Sequence, residues 1–132
     1  TSPFLLTKGL VPKLIQKKDG SIIAITSIWG EVGASCEVLY SMVKGGQNSF
    51  IKALAKELAP SGIRVNAISP GAISTPMLNR FDSEELRELE EEIPMGRLGL
   101  PKDISGVVSF VLSEDSSYIT GQIISVNGGW NT

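Results

Sequence analysis

Hydrophobic spacing along this chain switches between two periods, and the switches mark out its elements. From Phe4 to Ile15 the apolar residues Phe4, Leu5, Leu10, Val11, Leu14 and Ile15 recur at steps of three and four. Lys17, Lys18 and Gly20 follow, the cations and glycine that suit a helix end, so a helix is predicted here, bent at Pro12. Ser21 to Thr26 is then a nearly continuous β-branched run, Ile22, Ile23 and Ile25. It is too short for a helix and predicts a strand buried on both faces. A loop punctuated by Gly30 and Gly33 leads into a long helical pattern, Val38 to Ala59, carried by Phe50, Leu54 and Leu58 and ended by Pro60-Ser61-Gly62. Ile63 to Ser69 predicts a second strand, which Pro70-Gly71 breaks. Ser83 to Glu92 predicts an acidic surface helix capped by Asp82 or Ser83, and Pro101 to Leu112 a helix with proline in its first turn. Gln122 to Val126 predicts a third strand.

Apolar strands alternating with helical crossovers argue for a parallel sheet covered by helices on both faces, an α/β class. Three strands leave one edge of such a sheet open, so further strands are expected to cover it. The chain opens at Thr1 inside an apolar segment and stops after Val126-Asn127-Gly128-Gly129-Trp130. A truncated start and a natural end are expected. With 132 residues, 42% of them hydrophobic, residues 1–132 form a single unit.

Composition narrows the function by exclusion. A formal net charge of -2 and no long basic block argue against nucleic acid or an anionic membrane as partner. Lys13, Lys17 and Lys18 read as a solvated helix face. No apolar run reaches the roughly 20 residues that cross a bilayer, and no signal peptide is recognisable, so a non-secreted, cytoplasmic protein is expected. One cysteine, Cys36, and no histidine leave no metal-binding cluster, so no metal is expected.

Candidate chemistry begins with Tyr40 and Lys44. Four residues apart on a helix, they share a face near its N-terminus. A tyrosine titrates near 10, and bringing it to about 7 takes roughly 4 kcal/mol of preferential stabilisation of the phenolate. A lysine ammonium and a helix N-terminus both act in that direction. Such pairs also occur by chance on many helix surfaces. What distinguishes this one is Ser27, at the polar end of the first strand, and Pro70-Gly71, at the end of the second. Carboxyl ends of parallel strands are where ligands bind in open α/β sheets.

The chain resembles the short-chain dehydrogenase/reductase family, in its 3-oxoacyl-[acyl-carrier-protein] reductase-like branch. The resemblance rests on Thr26-Ser27, Tyr40-Ser41-Met42-Val43-Lys44, Ile63-Arg64-Val65-Asn66, Pro70-Gly71-Ala72-Ile73-Ser74-Thr75, Gly96-Arg97-Leu98-Gly99, Tyr118-Ile119-Thr120-Gly121-Gln122 and Val126-Asn127-Gly128-Gly129. It spans essentially the whole chain and implies the C-terminal half of a Rossmann-type doubly wound parallel sheet. It implies that Tyr40 is the general acid at a carbonyl oxygen, that Lys44 lowers the tyrosine pKa and holds the nicotinamide ribose, and that Ser27 holds the substrate oxygen. Pro70 and Gly71 would let the backbone approach the cofactor, Ile73 would meet the carboxamide through its main chain, and Thr75 would hydrogen-bond the cofactor. NADP is the implied cofactor, with NAD an alternative, and a homotetramer or homodimer through the first and long helices is the implied assembly.

Some family features differ or are missing. Met42 and Val43 stand where Ala and Ser are frequent, which bears on packing, and Asn127 stands where Asp is frequent. Neither the glycine-rich dinucleotide loop nor the asparagine that completes the family's catalytic tetrad is found; both would lie upstream. Trp29, Cys36 and Glu37 would border the substrate, Cys36 as an inert small residue. Met77, Leu78 and Phe81 could form an apolar lid with which the acidic run Glu84 to Glu92 could move, and Arg97 is expected to anchor its loop. The activity implied is reduction of a ketone, small or carried on a carrier protein, of the 3-oxoacyl-[acyl-carrier-protein] type. Alternatives are a sugar, a steroid-like alcohol, or an aminopentanone adduct on elongation factor P, for which Ser27-Ile28-Trp29-Gly30-Glu31 speaks. In a different class stands an inactive fragment or assembly module.

Overall fold

A computed structural model describes residues 2–132, apart from the side chain of Asn79; the opening at Thr1 lies outside the described residues. The elements run α1 (Ser2–Lys17), β1 (Gly20–Ile25), α2 (Trp29–Val32), α3 (Val38–Leu58), β2 (Ile63–Pro70), α4 (Ser83–Glu92), α5 (Pro101–Leu112) and β3 (Ile123–Val126). Helix α1 continues through Pro12 without a break. Asp82 rather than Ser83 caps α4: its Oδ1 accepts from the backbone N–H groups of Glu84 and Glu85, and Glu85 reaches back to the N–H of Asp82. The predicted order of strands and α-helices therefore stands, with one α-helix added, the four-residue α2, too short to carry any periodicity.

The three strands form one parallel sheet in the order β1-β2-β3, with Ile25 beside Ile68 and Ala67 beside Ile123. Period-two alternation divides the faces of β2. Ile63, Val65 and Ala67 pack with Ile51, Ala55 and Leu58 of α3, joined by Val11 and Leu14 of α1. Val111 of α5, fully buried, belongs to the opposite face with Ile68. Helices thus cover both faces.

Burial corrects one expectation. Only β2 is buried on both faces; along β1 every residue is partly buried except Ile25, which is 48% exposed. A parallel strand is sealed by neighbours on both sides, and β1 has only β2. Apolar residues also lie exposed along α1 (Phe4, Leu5, Leu6, Leu10) and at the start of α3 (Val38, Leu39, Met42).

Candidate active site

Helix α3 grades from chemistry to core along one stripe. Tyr40, Lys44, Asn48, Ile51, Ala55 and Leu58 follow at steps of three and four, which keeps them on one face. The last four are the buried residues of the helix, while Tyr40 is 38% exposed. Packing of Ile51, Ala55 and Leu58 against β2 therefore fixes the rotation that turns Tyr40 and Lys44 toward the carboxyl edge of the sheet.

There the Lys44 ammonium donates to the carbonyl of Ile25, the last residue of β1, at 3.1 Å, and lies 5.6 Å from the centre of the Tyr40 ring. One of three ammonium donors is used in that bond. Two residues beyond Ile25, Ser27 is 8% exposed and its Oγ accepts the Trp29 N–H at 3.3 Å. Its loop is tied to the next strand: the N–H groups of Thr26 and Ile28 donate to the carbonyls of Ile68 and Pro70 at 2.8 and 3.0 Å. α2 then lies on α3, and a Cβ added to Gly30 would come within 2.7 Å of the Lys44 backbone. The structure thus gathers Ser27, Tyr40 and Lys44 around the carboxyl end of β1.

Pro70, Gly71, Ile73 and Thr75 line the loop after β2. Gly71 donates to Val126 at 3.0 Å, and a Cβ there would collide with Asn127 at 2.8 Å. Its glycine is thus required by the close approach of the chain after β3. Ile73 pairs as a parallel bridge with Gly99, made by Ser74 N–H to Gly99 O at 2.8 Å and Gly99 N–H to Ala72 O at 2.9 Å. That pattern turns the N–H and C=O of Ile73 itself away from Gly99, and among the described residues neither meets a backbone partner. Thr75 is extended and its carbonyl accepts from Leu78, opening the 3-10 turn Pro76–Arg80. Of the three apolar residues here, Met77 is 71% exposed while Leu78 and Phe81 are half-buried.

A cleft of about 230 Å³ opens beside this loop, lined by Ala72, Ile73, Gly99, Val126 and Asn127 among others. A larger one, about 440 Å³, lies beyond it between Ser74, Glu90 and Lys102. Ser27, Tyr40 and Lys44 line neither cleft; Ser27 is buried, and Tyr40 is 38% exposed. Arg97 borders both and anchors its loop as expected, donating to the Leu98 carbonyl at 2.9 Å and to Asp103 Oδ2 at 2.8 Å. The hydrogen bond from Arg97, and after it the Leu100 N–H, hold the Asp103 carboxyl below the usual carboxylate range; the same bond raises the Arg97 guanidinium.

Around Ser27 the structure adds contacts that periodicity does not reveal. The ring of Trp29 meets that of Trp130 edge to face at 5.3 Å, and the Ser125 hydroxyl lies 2.8 and 3.0 Å from the two Glu31 carboxylate oxygens. Cys36 is exposed with φ 65°, left-handed for a residue other than glycine. Asn48 donates from Nδ2 to the Gly30 carbonyl at 3.1 Å. Its place four residues after Lys44 was the signal available in the sequence. Among the described residues there is no cluster of His, Cys, Asp and Glu that could hold a metal, and no helix is long and apolar enough to cross a membrane.

A protein-family model described as Enoyl-(Acyl carrier protein) reductase matches residues 1–131. An uncharacterized oxidoreductase of Bacillus subtilis, YmfI, is 62% identical over 130 residues, which are 98% of this chain and 54% of the relative. The 3-oxoacyl-[acyl-carrier-protein] reductase FabG of Aquifex aeolicus is 44% identical, over 98% of this chain and 52% of its own length. A crystal structure of 3-oxoacyl-[acyl-carrier protein] reductase from Brucella melitensis superposes with a TM-score of 0.90 at 34% identity, covering 98% of this chain and 49% of that one. The chain spans about half the length of the relatives it matches. Matched over nearly all its residues in sequence and in fold, it belongs to the short-chain dehydrogenase/reductase family.

Proposed function

We propose that this chain carries the catalytic, C-terminal half of a nicotinamide-dependent ketone reductase, of the 3-oxoacyl-[acyl-carrier-protein] reductase type. The observation that carries the reading is the Lys44 ammonium, held by the Ile25 carbonyl at 3.1 Å and 5.6 Å from the Tyr40 ring, one short loop from Ser27. Tyr40 donates its proton to the substrate oxygen as the carbonyl carbon is reduced, and takes it back in the reverse reaction. Ser27 donates a hydrogen bond to the same oxygen and steadies the charge that develops on it.

A reduced nicotinamide cofactor, when bound, supplies the hydride to the carbonyl carbon. The residues present fit such a group: the N–H and C=O of Ile73 meet no partner among the described residues, a matched pair for a carboxamide, and Lys44 has donors left for a ribose hydroxyl. Thr75 stands at the same loop to hydrogen-bond it, after Pro70 and Gly71. NADP is the preferred form. A glycine-rich dinucleotide loop is not in the 132 residues, so the reaction draws on a further segment. The apolar residues left exposed on α1 and α3 suit a homotetramer or homodimer.

A second reading concerns the substrate. Trp29 and Trp130 form an aromatic wall beside Ser27, with the carboxylates of Glu31 and Glu37 nearby in sequence. Those groups favour a ketone that carries an amine, such as an aminopentanone adduct on elongation factor P, over an uncharged or anionic one. The test is a panel offered to the full-length chain with NADPH and with NADH: a 3-oxoacyl thioester, a sugar ketone and an amine-bearing ketone. Loss of cofactor absorbance with at least one ketone is expected; none with any sinks the reductase reading, and the preferred ketone decides between the substrates. The isolated 132-residue chain is expected to be inactive with all of them.

A further inference from the structure

We propose that Asn48 is a positioning residue for this reaction: by holding the Gly30 carbonyl it sets where Ser27 stands relative to Tyr40 and Lys44. The inference rests on the ketone-reductase reading above. Asn48 occupies the border of the α3 stripe, one turn past Lys44 and one turn before Ile51, and is 7% exposed. Its Nδ2 donates to the Gly30 carbonyl at 3.1 Å, and because a carbonyl only accepts, that contact fixes which end of the amide is which. Its Oδ1 is buried with no partner. A buried amide oxygen left unpaired is a cost that a leucine of similar size would avoid. Core packing therefore does not account for an asparagine here, whereas its single hydrogen bond does.

That bond acts on the right atom. Gly30 sits against the α3 backbone so closely that a Cβ would meet the Lys44 C, Cβ and O atoms at 2.7 to 2.9 Å. Contact with Lys44 stops α2 from moving inward, and Asn48 stops it from moving away. Gly30 in turn is one turn from Ser27: its N–H donates to the Ser27 carbonyl at 2.8 Å, and the intervening Trp29 N–H donates to the Ser27 Oγ at 3.3 Å. Asn48 thus reaches the candidate catalytic hydroxyl through Gly30, from the same helix face that carries Tyr40 and Lys44. A displacement of about 1 Å at such a group can lower a rate by roughly a hundredfold.

The experiment is steady-state kinetics on the full-length chain with NADPH and a ketone its unsubstituted form reduces, ethyl acetoacetate being tried first and the panel above after it. Asn48→Leu leaves the Gly30 carbonyl without its donor while relieving the unpaired Oδ1, so a small change in melting temperature is expected, with a loss of about tenfold in kcat and with KM and the NADPH Kd kept within about twofold. Asn48→Ala, which adds no bulk, is expected to show the same kinetic pattern and stands in if the leucine variant does not fold. In a Ser27→Ala background neither substitution is expected to lower kcat further, because the group it positions is gone. An unchanged kcat, a loss confined to KM, or the same loss with and without the Ser27 hydroxyl would each overturn the positioning role while leaving the reductase reading intact. No turnover of any ketone by the unsubstituted chain would instead overturn that reading, and this inference with it.

Discussion

The two ends of β2, with the residues packed beside them, handle polar groups in opposite ways. At the amino end of β2, Arg64 points its guanidinium into the turn after α5, where Nη1 donates to Val111 O at 2.8 Å, Ser116 O at 3.2 Å and Ser116 Oγ at 2.9 Å, and Nη2 to Ser113 O at 3.3 Å. Asn66 does the same two residues on, donating to Ile119 O at 2.9 Å and accepting the Gln122 N–H at 3.0 Å. At the carboxyl end the groups are left open: Tyr40 is 38% exposed, Lys44 has spare donors, and Asn48 Oδ1 and Ser69 Oγ are buried without partners. A closed polar network holds a fold, because each member is costly to orphan. Of these, the exposed Tyr40 hydroxyl and the Lys44 ammonium are the ones able to meet a substrate.

Substituting one residue from each end breaks the comparison apart if it is wrong. Tyr40→Phe removes only an exposed hydroxyl, so stability should stay within about 0.5 kcal/mol. Turnover in the full-length chain should fall by about 10² to 10⁴, some 3 to 5 kcal/mol of barrier. Arg64→Ala should do the reverse. It orphans the Val111, Ser113 and Ser116 carbonyls and should cost about 3 kcal/mol in urea unfolding, with turnover per folded molecule unchanged. A Tyr40 variant that is active, or an Arg64 variant that is stable but dead, would contradict the division between the ends. Ser69→Ala sharpens it at smaller scale. Removing an unpartnered buried hydroxyl should be neutral or raise stability by about 1 kcal/mol.

Much of this was legible in the sequence, and the residues that were not have a common physical character. Strands and long helices announce themselves by period, as Ile22, Ile23 and Ile25 do for β1, and Phe50, Leu54 and Leu58 for α3. Tyr40 and Lys44 were readable because they share a face one turn apart. α2 was missed because four residues hold no period. The full burial expected of β1 was wrong because neighbours across a sheet, not the strand's own residues, decide it. Trp29 with Trp130 and Glu31 with Ser125 join positions about a hundred residues apart, which no local pattern connects. Asn48 lay on a readable stripe, but the significance of an asparagine there depends on Gly30 standing opposite it.

The smallest effect is expected at the loop between the two ends, where Arg97 meets Asp103. With side chains 47% and 28% exposed, this pair is screened by water and adds little to stability. Its pH dependence is nonetheless specific. The Asp103 carboxyl is held below its ordinary value, by Arg97 first and by the Leu100 N–H second, so the folded chain releases this proton more readily than the unfolded chain does. The stabilisation is therefore complete above the unfolded carboxylate value of about 3.9 and is lost as pH falls through the lower folded value. Asp103→Asn keeps an oxygen to accept the Leu100 N–H and removes only the charge. Melting curves of parent and variant should accordingly lie a small, constant distance apart from about pH 5 to 8 and converge in acid. Curves that diverge instead as pH falls would mean that Asp103 is protonated more readily in the folded chain, and that Arg97 is not its controlling partner.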